Sequence, residues 1–341
     1  MDRKIYLQIA GIEIAEKILK DQVFAGLTSM DSFDIRMAQR RISELRAYPI
    51  EGILSALEDT FLELSNVQNH DYRSAIRQIN FTYSLMKKGL DYLAIRKSDP
   101  NTPPDLETNI EELLGRKWKI AELKNWGLWE ENTEILQLSF NGYYNAARKE
   151  WVDEAIWINL KTGKLYKNQN CRPCNLSKRF TTENSVFNVL QLVELYIYPG
   201  RFNPKIRWSS SEINERLYTP DDLQLIRSFA ANDYAQTMEA VKKSVQNPLN
   251  DPHPVILVSL EKALQNDNDD DIDIQDALGA RITVRDSLPH YLPSTAHLKN
   301  LLSQPFDRFT LLLMINDLQD GLLSAQALAI VTPQQLIRLM Y

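Results

Sequence analysis

The sequence predicts an α+β protein: an N-terminal helical bundle followed by a small β-rich domain and an acidic mixed α/β C-terminal region. Three observations predict it. Apolar residues recur at steps of three and four over the first 97 residues, a period of two takes over from about Thr133 to Trp208, and a capped helix followed by short apolar runs fills the rest. At 341 residues the chain also exceeds the usual size of one hydrophobic core.

In the first region Tyr72, Ile76, Ile79, Tyr83, Met86, Leu90 and Leu93 form one stripe of a helix, with Asp71 where an N-cap would stand. Ile50, Leu54, Leu57, Phe61 and Leu64 repeat the rhythm after Pro49, which suits a first turn because that position has no intrahelical N–H bond to lose. Amphipathic stretches around residues 9–19 and 33–45 bring the bundle of residues 1–97 to four helices joined by short connections. Pro100, Pro103 and Pro104 stop helix propagation, so residues 98–132 read as a proline-rich linker carrying a short helix at residues 107–124.

The β-rich domain spans residues 133–208. Ile156, Ile158 and Leu160 alternate with Trp157, Asn159 and Lys161, and the alternation resumes at Leu165 after Thr162-Gly163, the pattern of a two-residue hairpin turn. A further strand runs through Leu192, Glu194, Tyr196 and Tyr198 into a Pro199-Gly200 turn. Residues 209–341 open with a helix capped by Thr219 and started by Pro220, read as continuing through Leu223, Ile226, Ala230 and Val241 towards Val245. Strands follow at residues 255–260, 271–275, 281–286, 309–315 and 327–331, and a last helical turn at 334–340.

With 39 basic against 45 acidic residues the net charge is −6, which excludes a uniformly basic nucleic-acid surface. No wholly apolar stretch is longer than Leu311 to Ile315, far short of the roughly 20 residues a spanning helix needs, and Glu13 and Glu16 interrupt any secretory core near the start. A cytoplasmic protein with no membrane partner is expected.

Catalytic and metal motifs fail on spacing. Cys171 and Cys174 form a CxxC, yet a structural zinc needs four ligands, and His70, His253, His290 and His297 are scattered. Two reduced cysteines in a turn are the preferred reading over a redox pair, and no metal or cofactor is expected. Asp267, Asp269, Asp271 and Asp273 alternate like a calcium loop, but Ile272 stands where its glycine belongs and Leu278 where its bidentate glutamate belongs. No nucleophile elbow, HExxH, phosphate loop or dinucleotide fingerprint occurs. A site assembled from distant residues is the form an enzyme would have to take here.

One segment stands apart in charge. Residues 140–208 carry 11 basic and 5 acidic groups together with 12 aromatic residues, whereas residues 209–341 carry 10 basic and 18 acidic. Rings beside cations suit two partners: a protein, anchored by aromatic and arginine side chains, or a single-stranded nucleic acid, stacked on rings and paired through phosphates. The candidate binding residues are Lys178, Arg179, Arg201, Phe202, Lys205, Arg207 and Trp208.

Residues 157–166 (WINLKTGKLY), 170–173 (NCRP) and 198–208 (YPGRFNPKIRW) resemble a bacterial family associated with neighbouring SWIM zinc-finger proteins, AAA+ ATPases and von Willebrand A proteins. The likeness rests on 25 of the 341 residues. It implies a part in a multi-protein system, as an adaptor, and carries over no zinc site because the SWIM cysteine–histidine set is missing. The resulting expectation is a non-enzymatic adaptor or scaffold that binds a partner protein, with single-stranded nucleic-acid binding by the same surface as the alternative.

Overall fold

In a computed structural model, residues 3–28, 32–67, 71–99, 101–145, 149–173, 185–209, 213–266, 270–288, 290–303, 309–317 and 323–340 are described. They divide into two compact units, Met1–Trp118 with Asn145–Lys149, and Lys119–Tyr144 with Glu150–Tyr341. The architecture is mixed α+β, helices first and strand-rich sheets after.

The first unit holds the expected four helices, α1 (Arg3–Ala25), α2 (Ser32–Glu44), α3 (Glu51–Ser65) and α4 (Arg73–Ser98), and the single turn α5 (Ile110–Leu113). Ile12, Ile18, Leu19, Ile42, Leu57, Phe61, Leu85 and Met86 are buried between them. The stripe read on α3 is buried throughout, whereas on α4 the buried face runs through Ala75, Thr82, Leu85, Met86, Gly89 and Leu93, so that of the expected stripe only Met86 and Leu93 are buried and Ile76 is exposed. Two buried hydroxyls are satisfied within this core: Thr60 and Thr82 lie 2.9 Å apart and each donates to the Ala56 carbonyl. Helix starts shift slightly from the sequence reading. Asp71 accepts from the Arg73 amide and guanidinium while Tyr72 holds the cap position, and Pro49 precedes the Ile50 cap. The proline-rich stretch belongs to this unit, and the helix expected over residues 107–124 is broken, because Gly115 adopts a φ of +75° and ends the turn.

The second unit opens with α6 (Ile120–Asn125) and a sheet of β1 (Trp129–Asn145), β2 (Glu150–Asn159), β3 (Leu165–Pro173), β4 (Val189–Ile197), β5 (Ile206–Arg207) and β6 (Ile213–Arg216). Its order is β3-β2-β1-β4-β5, with β6 beside β4. The two ends of this order meet: Lys167 bridges Lys205 in parallel, and its amide donates to the Pro204 carbonyl at 3.1 Å. The sheet therefore curls into a small barrel. Ile135, Ala155, Trp157, Tyr166, Leu192, Leu195 and Ile206 form the cluster on its inner side.

After the barrel come α7 (Pro220–Ser228), α8 (Tyr234–Val245) and α9 (Thr295–Leu302), and β7 (Val255–Ser259), β8 (Lys262–Gln265), β9 (Ile272–Gln275), β10 (Arg281–Val284), β11 (Thr310–Asp317), β12 (Leu323–Val331) and β13 (Leu336–Arg338). These strands make a second sheet in the order β7-β11-β12-β10-β9-β8, with β13 on β12. One face meets the barrel through Leu136, Leu138, Ile156 and Ile158 against Leu257, Leu312 and Met314. The other face packs Val258, Leu313 and Ile330 with Tyr234 and Val241 of α8 and Leu298 of α9.

Three local expectations are corrected here. The helix from Thr219 is stopped after Ser228 because Ala231 exchanges hydrogen bonds with β7, donating to Leu257 O and accepting from Ser259 N, both at 2.9 Å; Asp233 then caps α8. The last helical turn at 334–340 is instead β13, drawn into the sheet by pairing with β12. The Thr162-Gly163 hairpin forms, but with five residues between Asn159 and Leu165 and the Asn159 side chain accepting from the amides of Lys161 and Thr162.

Gly163 in that turn has a φ of +71°, and a Cβ there would meet the Phe229 ring at 2.4 Å. Gly163→Ala is expected to lower stability by about 2 kcal/mol through backbone strain and overpacking together, read from the denaturation midpoint.

Candidate functional site

The fold divides the described candidate binding residues between solvent and core. Arg201, Phe202 and Lys205 lie in the β4–β5 loop, and Arg207 and Trp208 in and beside β5; Lys178 and Arg179, like Cys174 of the CxxC, lie outside the described residues. Arg201 and Arg207 are exposed. Phe202 packs instead against the core of the second sheet, and Trp208 against the barrel interior, edge-on to Trp157 at 5.2 Å. Asn203 explains Phe202: its side-chain amide donates to Val255 O (3.0 Å) and accepts from Val255 N (2.6 Å), which seats the loop on β7.

Most of the rings that alternate along the barrel strands are likewise consumed by packing. Tyr166, Trp157 and Tyr196 are buried, at 0%, 2% and 5% exposure. Cations of the same segment have carboxylate neighbours: Arg172 with Asp153 (2.6 Å), Lys167 with Asp251 (2.6 Å) and Lys164 with Glu130 (3.6 Å).

At one end of β1, β2 and β3 the rings do reach solvent. Tyr144 and Trp151 are 39% and 38% exposed with centroids 5.2 Å apart, tilted by 57°. Trp151 pairs across the strands with Arg172, whose guanidinium holds the buried Asp153 carboxylate, and the exposed Cys171 follows one position along. Side chains of Tyr, Trp and Arg thus converge at this end of the strands.

A second cluster, invisible in the spacing, lies where the barrel meets the second sheet. Lys167 is buried on β3, and its ammonium donates to the His253 carbonyl (2.8 Å) and to Asp251. Burial alone would lower the Lys167 pKa, but Asp251, then Glu154, outweighs it and leaves the pKa raised. Asp251 is correspondingly lowered: burial pushes it up and the Lys167 charge more than reverses that. The His253 ring lies 3.4 Å from the Ile315 carbonyl through Nδ1, and burial holds its pKa below the ordinary histidine value against the pull of Asp251. Nearby, Tyr291 donates to Glu154, with burial driving the phenol pKa well upward, and Tyr143 stacks on His290 at 4.8 Å.

Residues 143, 154, 167, 251, 253, 290 and 291 are far apart in sequence, and no local pattern marks them. Among the described residues no group of three or more His, Cys, Asp or Glu could hold a metal ion. Of the alternating aspartates, Asp271 pairs with Arg285 and Asp273 accepts from Asn266 and Thr283, while Asp267 and Asp269 lie outside the described residues. No helix among the described residues is long and apolar enough to cross a membrane.

No family model matches the chain, and no curated protein does. Three solved structures are similar over part of it. "Structural mimicry for functional antagonism" is 13% identical with a TM-score of 0.23, covering 58% of this chain and 90% of that one. "Molecular basis for abrogation of activation of pro-inflammatory cytokines" is 13% identical, TM-score 0.23, covering 58% and 89%. "Structure of murine DNA binding protein bound with ds DNA" is 9% identical, TM-score 0.24, covering 61% and 96%. Likeness at this level constrains neither the fold nor the function of this chain.

Proposed function

We propose that this chain is a non-enzymatic adaptor that holds a partner protein at the barrel end where Tyr144, Trp151 and Arg172 converge. The observation that carries the reading is the exposed ring pair beside an arginine already neutralised by Asp153. Tyr, Trp and Arg are the side chains that most often anchor protein interfaces, and two rigid rings offer contact area at small entropic cost. A polyanion would have to compete with Asp153 for Arg172 and with Asp251 for Lys167, which favours a protein partner over phosphate. The resemblance of residues 157–166, 170–173 and 198–208 to a family working in multi-protein bacterial systems agrees with this reading.

Single-stranded nucleic acid is the second reading, favoured by the strand order and edge closure of the barrel, since five-stranded Greek-key barrels of the OB kind often carry nucleic-acid strands. Affinity capture from the native host, with and without nuclease, separates the two. The expected result is a fixed set of proteins that survives nuclease and is lost from the Tyr144→Ala/Trp151→Ala variant, itself still cooperatively folded. Retention of the same set by that variant would overturn the proposed surface. Capture that disappears with nuclease, falls steeply with salt and weakens in Arg201→Ala, Lys205→Ala and Arg207→Ala variants would establish the second reading instead.

A further inference from the structure

Residues 251–255 are stitched to three elements at once. Asp251 and the His253 carbonyl hold the Lys167 ammonium of β3, the Pro254 carbonyl accepts from Ile315 N of β11 at 2.8 Å, and Val255 exchanges two hydrogen bonds with Asn203 of the β4–β5 loop. In the middle sits the His253 ring, contacting the Ile315 carbonyl. We propose that residues 251–255 form a proton-operated clasp between the barrel and the second sheet, closed when the His253 ring is uncharged and loosened when it is protonated.

The groups around the ring determine the direction. Its own segment contributes the Asp251 carboxylate, β3 the Lys167 ammonium, β2 the Glu154 carboxylate and β11 the Ile315 carbonyl; Tyr291, which donates to Glu154, interacts with Tyr143 and Asp251 as well. Burial, the largest influence, opposes the imidazolium; Asp251 favours it and Lys167 opposes it, and the net result is a depressed pKa. A depressed pKa means that His253 supports the closed form at pH values above that of an unfolded histidine, about 6.5, and that this support is lost as pH falls through the folded value. A charged ring regains hydration by leaving its site, and the backbone on either side of it carries the contacts to Lys167, Ile315 and Asn203. Acid loosening of the clasp would therefore also release the loop bearing Arg201 and Lys205, whatever partner the chain binds.

Hydrogen–deuterium exchange on the full chain, converted to protection factors at about pH 7.5 and about pH 5.5, tests the clasp. Peptides covering residues 165–168, 201–206 and 251–258 are expected to lose protection severalfold at the lower pH in the wild type, with β4 unchanged, and to lose none in His253→Gln. Equal loss in wild type and variant, loss spread evenly over the unit, or no loss in the wild type would overturn the proposal. Should His253→Gln not fold, the wild-type ring titration followed by NMR decides: a midpoint at or above that of an ordinary histidine overturns it, and a lower midpoint accompanied by movement of the Lys167 and Asn203 amide signals supports it.

Discussion

Lys167→Met is expected to lower the stability of the second unit by about 3 kcal/mol, because it leaves the Asp251 carboxylate without its counter-charge in a partly desolvated site. The lower end of the range for broken buried pairs applies. The Lys167 side chain is 7% exposed but that of Asp251 is 24% exposed, so water screens part of the penalty. In the double variant Lys167→Met/Asp251→Asn no charge is left unpaired, and more than half of the loss should return. Urea denaturation midpoints of the four proteins supply the cycle. A single-variant cost below about 1 kcal/mol would mean that the pair behaves as a surface ion pair and contributes little to joining barrel and sheet.

The second large effect separates two tryptophans six positions apart. Trp157→Ala should cost about 3–5 kcal/mol, since the ring is 2% exposed, fills the barrel interior and meets Trp208 edge-on. Trp151→Ala, at an exposed strand end, should stay within about 1 kcal/mol of the wild type while removing the proposed recognition surface. Thermal or urea midpoints test the first half, and partner capture the second. Trp157→Phe offers a finer check. The indole N–H is buried with no hydrogen-bond acceptor among the described residues, so removing it spares a desolvation cost and should offset part of the lost volume. A Trp157→Ala variant that kept full stability would show that the barrel does not enclose this ring.

Strand alternation could not separate these two tryptophans. Trp151 and Trp157 both sit in strand-forming text, and the pleat places them on the same side of β2; only the closure of β5 onto β3 encloses one and leaves the other at the rim. The same limit applied to charge. A surplus of cations over residues 140–208 is a one-dimensional fact, whereas two of the carboxylates that neutralise them come from outside that segment: Asp251 reaches Lys167 from 84 positions on, and Glu130 of β1 meets Lys164 in the turn between β2 and β3. Phe202, one of the candidate binding residues, was beyond local reasoning as well, because its burial follows from Asn203 docking on Val255.

What the sequence determined by itself are the features governed by near neighbours. The four amphipathic helices, the Thr219-Pro220 helix start with its reciprocal Asp222 bonds, the turn containing Gly163 and the apolar strands β7, β11 and β12 all follow from period, capping and turn chemistry acting over a few residues. What only the tertiary structure decided is which of those residues share a surface. The helix reading failed at Ala231 because a distant strand supplied better hydrogen bonds than the next helical turn, and the last segment became β13 for the same reason. Solvent access and charge compensation likewise depend on contacts between residues far apart in the chain, so the exposed pair Tyr144–Trp151 and the buried pair Lys167–Asp251 emerge only once the barrel closes and the second sheet packs against it.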